Sequence, residues 1–226
     1  MPTSEYLLGR RSDLSGYLIH LTRDYDDISP RKNLKSILRK GCVEARNAYC
    51  LFMRGMNSLP PAETELFKVV CFTETPLSEL NYMVQTMEGR STALSPYGLV
   101  FKKEVVRARG GNPVFYIDTR SEDGKERCEY LWSCFREAKK NGFKSEGASS
   151  LLPLINKVSN QIDFSWEREW RIAGNFNFKF NEVFLGLCPK NRLEDFEDEF
   201  PGIVWVSPRW GRDQIISKLR QLAVSE

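Results

Sequence analysis

Tyr17-Leu18-Ile19-His20-Leu21-Thr22-Arg23, followed by Ser29-Pro30-Arg31-Lys32-Asn33-Leu34-Lys35-Ser36-Ile37-Leu38-Arg39-Lys40-Gly41, is the stretch on which the fold turns. The first part reads as a strand. Side chains alternate along a strand, so Leu18 and His20 share one face with Thr22 beside them. The second part is a helix with both ends marked: Ser29 as N-cap, Pro30 at the first helical position, and Gly41 at the left-handed position past the end. Leu34, Ile37 and Leu38 recur at helical spacing and form one apolar stripe, which predicts packing against the sheet that holds His20.

Working outward, the same alternation of elements continues. Lys68-Val69-Val70-Cys71-Phe72-Thr73 reads as a buried strand, and Thr75 and Pro76 then mark a helix entry with Thr75 as N-cap. Gly89 to Pro96 is a polar loop, and Tyr97 to Phe101 is a strand. Lys103 to Arg109 is a short helical turn ending at Gly110-Gly111. Pro113 to Ile117 is predicted as strand, Tyr130 to Lys140 as helix, and Leu151 to Ile162 as a further helix. Trp166 to Ile172 and Phe176 to Phe180 are predicted as strands, the latter by its apolar–polar alternation. Toward the end, Val183 to Leu187 and Ile203 to Val206 read as strands, and Arg192 to Phe196 and Arg212 to Leu222 as helices. Strands with interspersed helices, no internal repeat and no low-complexity segment point to an α+β or mixed α/β protein.

The composition excludes several classes. At 226 residues the chain is long enough for a sizeable core, and 41% hydrophobic with 28% charged residues is ordinary for a globular protein. No apolar run approaches a membrane span, and Met1-Pro2-Thr3-Ser4-Glu5 lacks the basic and apolar regions of a signal peptide, so the expectation is a cytoplasmic protein. A net charge of +3, from 33 basic and 30 acidic residues, argues for nothing by itself. Two basic groups, Arg31/Lys32/Lys35/Arg39/Lys40 and Lys102/Lys103/Arg107/Arg109, read either as solvated helix faces or as contacts to nucleic acid or a partner. Six cysteines without a Cys-x-x-Cys pair, and one histidine, make a zinc site unexpected. Cys71 and Cys188 fall in apolar runs and are expected as buried thiols.

Three segments carry residues suited to chemistry. His20 is the single histidine of the chain. It is either a satisfied structural ring or one that hydrogen-bonds a ligand, since imidazole donates from one nitrogen and accepts at the other. Thr73 closes an apolar strand and is not explained by capping. Glu167-x-Glu169, if in a strand, places two carboxylates on one face, with Arg168 and Trp170 on the other. This is either an exposed edge paired with basic neighbours or a functional pair.

The order of these segments resembles a family. His20-x-Thr22, Asn33-Leu34-x-x-Ile37-Leu38-x-x-Gly41, Cys71-Phe72-Thr73-Glu74-x-Pro76-Leu77, Tyr97 to Phe101 and Glu167-x-Glu169-Trp170-Arg171-Ile172 are similar to segments of the bacterial AbiGi-like abortive-infection proteins. More distantly, they are similar to the ADP-ribosyltransferase fold. The resemblance implies a single ADP-ribosyltransferase-like domain over residues 1–226, with a split mixed β-sheet core and flanking helices. It implies NAD as substrate and no metal. His20 would contact NAD, with Thr22 in support and Phe72, Thr73 and Tyr97 beside it. Glu169 would stabilise the oxocarbenium-like transition state of nicotinamide–ribose cleavage, and Glu167 would activate the acceptor. The implied activity is ADP-ribosyl transfer to a macromolecular acceptor, nucleic acid or protein, by a toxin-like effector of antiphage defence restrained by an antitoxin or other partner. Two alternatives share the residues: a non-catalytic interaction module on a degenerate fold, and an NAD glycohydrolase.

Overall fold

The computed structural model describes residues 15–85, 94–143, 147–161 and 163–223. The polar loop expected from Gly89 to Pro96 lies largely outside the described residues. The strands in chain order are β1 Tyr17–Leu21, β2 Cys42–Val43, β3 Val69–Thr73, β4 Gly98–Lys102, β5 Asn112–Pro113, β6 Phe115–Asp118, β7 Ile155–Val158, β8 Glu169–Ala173, β9 Phe176–Asn177, β10 Val183–Leu187 and β11 Trp205–Val206. The chain divides into two compact units, one of Met1–Gly41, Phe72–Val106 and Phe178–Glu226, the other of Cys42–Cys71 and Arg107–Asn177. Strand β3 contributes residues 69–71 to the second unit and its last two residues to the first.

In the first unit the strand order is β11-β10-β4-β1-β3. Strands β10 and β11 are parallel, while β4 runs antiparallel to both β10 and β1, and β1 antiparallel to β3. The sheet is therefore mixed and flanked by helices, as the α+β reading requires. The register sets His20 opposite Leu99 and Ile19 opposite both Val100 and Thr73. Ile19 and Leu21 join Leu80, Met83, Val100, Leu185, Leu187 and Val206 in one apolar cluster. Leu18, on the opposite face, is also fully buried. A strand buried on both faces reads as a near-continuous apolar run, and β1 does, with His20 as the exception.

Helix Pro30–Lys40 forms as its sequence dictates. The Ser29 hydroxyl accepts from the Lys32 N–H, Pro30 opens the helix, and Leu34, Ile37 and Leu38 are buried. Gly41 ends it at φ 61°, ψ 31°. A Cβ on Gly41 would lie 2.8 Å from the Phe178 carbonyl oxygen, while the Phe178 N–H donates to Gly41 O at 2.9 Å. Glycine is thus required here twice over, by backbone conformation and by close approach. The predicted helix after Thr75 is present as a 3-10 turn, Leu77–Glu79, that runs into a short α-helix, Leu80–Met83, with Pro76 in place of Thr75 at the cap position. Thr75 does not cap it, because its hydroxyl faces Thr73 Oγ1 at 2.8 Å.

In the second unit β8 lies between β3 and β5, and the pairs β2/β9 (antiparallel) and β6/β7 (parallel) stand apart. Its core collects Phe52, Met56, Phe67, Ile117, Phe135, Leu152 and Ile155. The Phe52 and Phe135 rings stack at 5.1 Å.

Four local expectations are corrected in this unit. Residues Pro113 to Ile117 form two short strands, β5 and β6, separated at Val114. The helix expected from Tyr130 begins eight residues earlier, since Ser121 caps Glu122–Asn141 through the Gly124 N–H. The described part of the run 151–162 is not α-helical but the end of a 3-10 segment, Gly147–Leu154, followed by β7, because Pro153 bars an α-helical ladder there. The strand expected from Trp166 starts only at Glu169; Ser165–Glu167 is a 3-10 turn ended by Arg168 in the left-handed region at φ 49°. The run Phe176–Phe180 is strand only as far as Asn177.

Gly41→Ala is expected to lower stability by about 1–3 kcal/mol in urea denaturation, from left-handed strain and the Phe178 contact. Unchanged stability would contradict the assigned role of Gly41.

Candidate functional site

In the first unit His20 is half-buried, with its ring edge-on to Phe72 at 5.9 Å between centroids. Phe72, itself buried, also meets Phe101 edge-on. Gly98 lets β4 approach this point of β1, since a Cβ there would fall 2.4 Å from the His20 carbonyl oxygen. Thr22 lies just past the end of β1 and is buried. Its N–H and hydroxyl both donate to the Tyr97 carbonyl, at 2.8 and 3.0 Å, and its hydroxyl also reaches Pro30 O at 3.3 Å. Thr22 therefore ties the ends of β1, β4 and the first helix together.

Thr73 is buried too. Its Oγ1 accepts the Thr75 N–H at 3.0 Å and bonds the Thr75 hydroxyl, so it shapes the turn out of β3. The next carboxylate, Glu74, pairs with Lys103 at 2.7 Å, both side chains largely buried. Tyr97 packs its ring on Phe196 at 5.9 Å. Burial raises the Tyr97 hydroxyl pKa, while Arg31 and Arg192 pull it down.

The basic face of the first helix has its own partners. Arg31, Lys35 and Arg39 recur every four residues and meet the acidic helix Leu193–Glu199. Arg31 bonds Asp195 at 3.1 Å, while Lys35 and Arg39 both reach Glu199. Lys35 also lies 5.3 Å from the Phe196 ring centroid. For these three residues the arrangement is an interhelical ladder of ion pairs. In the second basic group Lys103 is paired, and Arg107 and Arg109 lie over the rings of Trp170 and Phe176 in the second unit.

The second unit holds Glu169 and Glu167. Glu169 is the first residue of β8, and its side chain is 12% exposed. Arg171, two residues on and on the same strand face, grips it as a fork: Nε donates to Oε1 and Nη2 to Oε2, each at 2.9 Å. The Tyr116 hydroxyl donates to Oε2 at 3.1 Å. The Cys71 thiol, close enough to feel the charge of this carboxylate, accepts from Asn47 Nδ2 at 3.4 Å. Arg171 is itself buried, and its Nη1 donates to the Pro153 carbonyl at 2.8 Å.

Burial opposes the charge on Arg171, yet Glu169 outweighs it and raises the arginine pKa. Burial first, then the Glu169 charge, raises the Tyr116 and Cys71 pKa values, so both stay protonated. The Cys71 residue is only partly buried, whereas Cys188 is fully buried and its thiol is pushed up to about 12.

Glu167 does not share a strand face with Glu169. It sits in the 3-10 turn before the left-handed Arg168, which breaks the alternation that would align the two carboxylates. Trp170 is buried beneath Arg107, and Trp166 is exposed. The structure thus brings together His20, Phe72 and the Thr22–Tyr97 tie in one unit, and Glu169 with Arg171, Tyr116 and Cys71 in the other. Arg171 was open to inference from its i, i+2 spacing to Glu169. Tyr116 and Cys71 carried no local signal. Among the described residues no group of three or more His, Cys, Asp or Glu side chains is placed to hold a metal ion. No helix there is long and apolar enough to cross a membrane.

The chain matches no protein-family model and no curated protein. Two solved structures of DarT from Thermus sp. 2.9 align with it, one in complex with carba-NAD+ and one with ADP-ribosylated ssDNA. Each aligns at 16% identity and a TM-score of 0.37 over 87% of this chain, covering 97% and 96% of the respective neighbour. At that TM-score the likeness assigns neither fold nor function.

Two outcomes follow from these ion pairs. Arg171→Ala strands the Glu169 carboxylate in a mostly buried position and is expected to cost about 3–5 kcal/mol in urea denaturation. The pair replacement Glu169→Leu/Arg171→Met is expected to recover most of that loss. A cost below about 1 kcal/mol for Arg171→Ala would contradict the buried ion pair. For Glu199, the Lys35 hydrogen bond holds the carboxyl below its ordinary 4.5. A lowered folded pKa contributes stability that is complete above the unfolded value and is lost as pH falls through the folded one. Glu199→Gln should therefore flatten the acid limb of a thermal-stability profile below about pH 4.5. An unchanged limb would argue against the ladder.

Proposed function

We propose that this protein, as one domain over residues 1–226, is an NAD-dependent ADP-ribosyltransferase, a toxin-like cytoplasmic effector of antiphage defence related to the AbiGi-like proteins. The observation that carries the reading is the Glu169 carboxylate, set at the start of β8 in the fork of Arg171 and under the Tyr116 hydroxyl. A negative charge fixed before substrate arrives stabilises developing positive charge without reorganisation, often the largest single catalytic contribution. The order of His20-x-Thr22, Phe72-Thr73 and Glu169-Trp170-Arg171 along the chain supports the same assignment.

In this reading NAD is the substrate and no metal takes part. The C1′–N bond of the nicotinamide ribose breaks and its electron pair leaves with nicotinamide. Glu169 stabilises the oxocarbenium-like ribose and binds a ribose hydroxyl. The acceptor, a nucleophile on nucleic acid or protein, gives up a proton toward Glu167 as its bond to C1′ forms. His20 hydrogen-bonds the nucleotide, and Phe72, Thr73 and Tyr97 shape its surroundings. A partner protein, such as an antitoxin, restrains the activity. With water as acceptor the same residues would make an NAD glycohydrolase.

One observation favours a second reading. An ionised carboxylate offers about four acceptor positions. Glu169 is met by two Arg171 nitrogens and Tyr116, which take three of them. A carboxylate so largely engaged also suits a structural anion in a non-catalytic interaction module.

Incubation with labelled NAD and cell extract separates the readings. The transferase transfers label to material removed by nuclease or by protease, and Glu169→Gln lowers the rate about a hundredfold or more. Nicotinamide release without labelled macromolecule indicates the glycohydrolase. Absence of NAD consumption, or transfer that Glu169→Gln leaves unchanged, overturns the proposal.

A further inference from the structure

We infer that Tyr116 is a positioning residue for the Glu169 carboxylate. The inference rests on the reading of Glu169 as the carboxylate that meets NAD, and deepens it. The Arg171 fork fixes the plane of the carboxylate through two parallel contacts, one to each oxygen. A fork alone leaves the carboxylate free to tilt about the line joining its oxygens. The Tyr116 hydroxyl, arriving from β6 onto Oε2, supplies the third point that removes this freedom.

Both donors are set by one stretch of backbone. Pro153 O accepts from Arg171 Nη1, and three residues later Asn156 pairs in register with Tyr116 across β6/β7. Asn156 is buried, and its Oδ1 accepts the Lys157 N–H at 2.9 Å. Residues 153–156 therefore locate the guanidinium and the phenol relative to each other. A carboxylate held by side chains that are themselves locked meets the tolerance of a fraction of an ångström that catalysis demands. The phenol is suited to this task because burial and the Glu169 charge keep its proton on, so it acts only as a donor.

Tyr116→Phe removes the hydroxyl at nearly constant volume and leaves the Arg171–Glu169 pair intact. The comparison is made in the full chain among wild type, Tyr116→Phe, Glu169→Gln, the Tyr116→Phe/Glu169→Gln double variant and the exposed control Tyr130→Phe, reading NAD consumption and melting temperature together. The expected result is a fall of about tenfold in kcat for Tyr116→Phe with KM for NAD within about twofold. Tyr130→Phe should equal wild type. The double variant should be no slower than Glu169→Gln, since a residue acting through Glu169 loses its effect once the carboxylate is gone.

An unchanged kcat in Tyr116→Phe, while Glu169→Gln is slow, overturns this inference alone. So does a double variant slower than Glu169→Gln, which would mean that Tyr116 acts independently. A loss of activity matched by loss of folded protein likewise overturns it, in favour of a structural role. Wild type that consumes no NAD, or Glu169→Gln as active as wild type, overturns the reading of Glu169 and this inference with it.

Discussion

The ion pair between Arg171 and Glu169 is the interaction on which the second unit and its proposed chemistry depend. Its two members are neighbours on one strand face, and their fork geometry is complete. Burying such charges is costly unless every donor and acceptor is used. The surrounding residues supply partners for both charges. Pro153 takes the outward nitrogen of Arg171, and Tyr116 donates to the carboxylate. These partners come from β6, β8 and the segment before β7, so one charged pair organises elements far apart in sequence. The same satisfaction that stabilises the pair orients the carboxylate, and orientation is the property that a transition-state stabiliser needs.

The first unit solves a different problem. Strand β1 is buried on both faces, yet it carries the one histidine of the chain at a half-buried position beside Phe72. The Thr22 hydroxyl bonds backbone carbonyls, which anchors the strand end and the helix start. The basic first helix, which in isolation suggests a surface for polyanions, is balanced along one face by Asp195 and Glu199. Charge on a helix says little about its partner until the opposing helix is known.

What was legible in the sequence was local. Ser29, Pro30, Gly41 and the Leu34/Ile37/Leu38 stripe act within one or two turns, and the helix formed as they dictate. Strands β1, β3, β4 and β10 were readable from short apolar runs bounded by turn residues. What was not legible depends on distant partners or on backbone strain. The left-handed Arg168 displaces Glu167 from the face of Glu169, a change that residue types alone do not announce. The apolar stretch near Leu151 satisfies helical and extended periods alike, and Pro153 decides between them. Tyr116 is separated from Glu169 by 53 residues, so nothing nearby marks it as a partner. Arg171, at strand spacing from Glu169, is the member of the network that spacing does reveal.

The central claim is that Glu169 meets NAD. A crystal structure of the protein with a non-hydrolysable NAD analogue tests it most directly. The account predicts a ribose hydroxyl of the analogue within hydrogen-bond distance of a Glu169 carboxylate oxygen, with the Arg171 fork retained. An analogue bound elsewhere, or a Glu169 carboxylate still held by the same protein donors with no nucleotide against it, would contradict the claim.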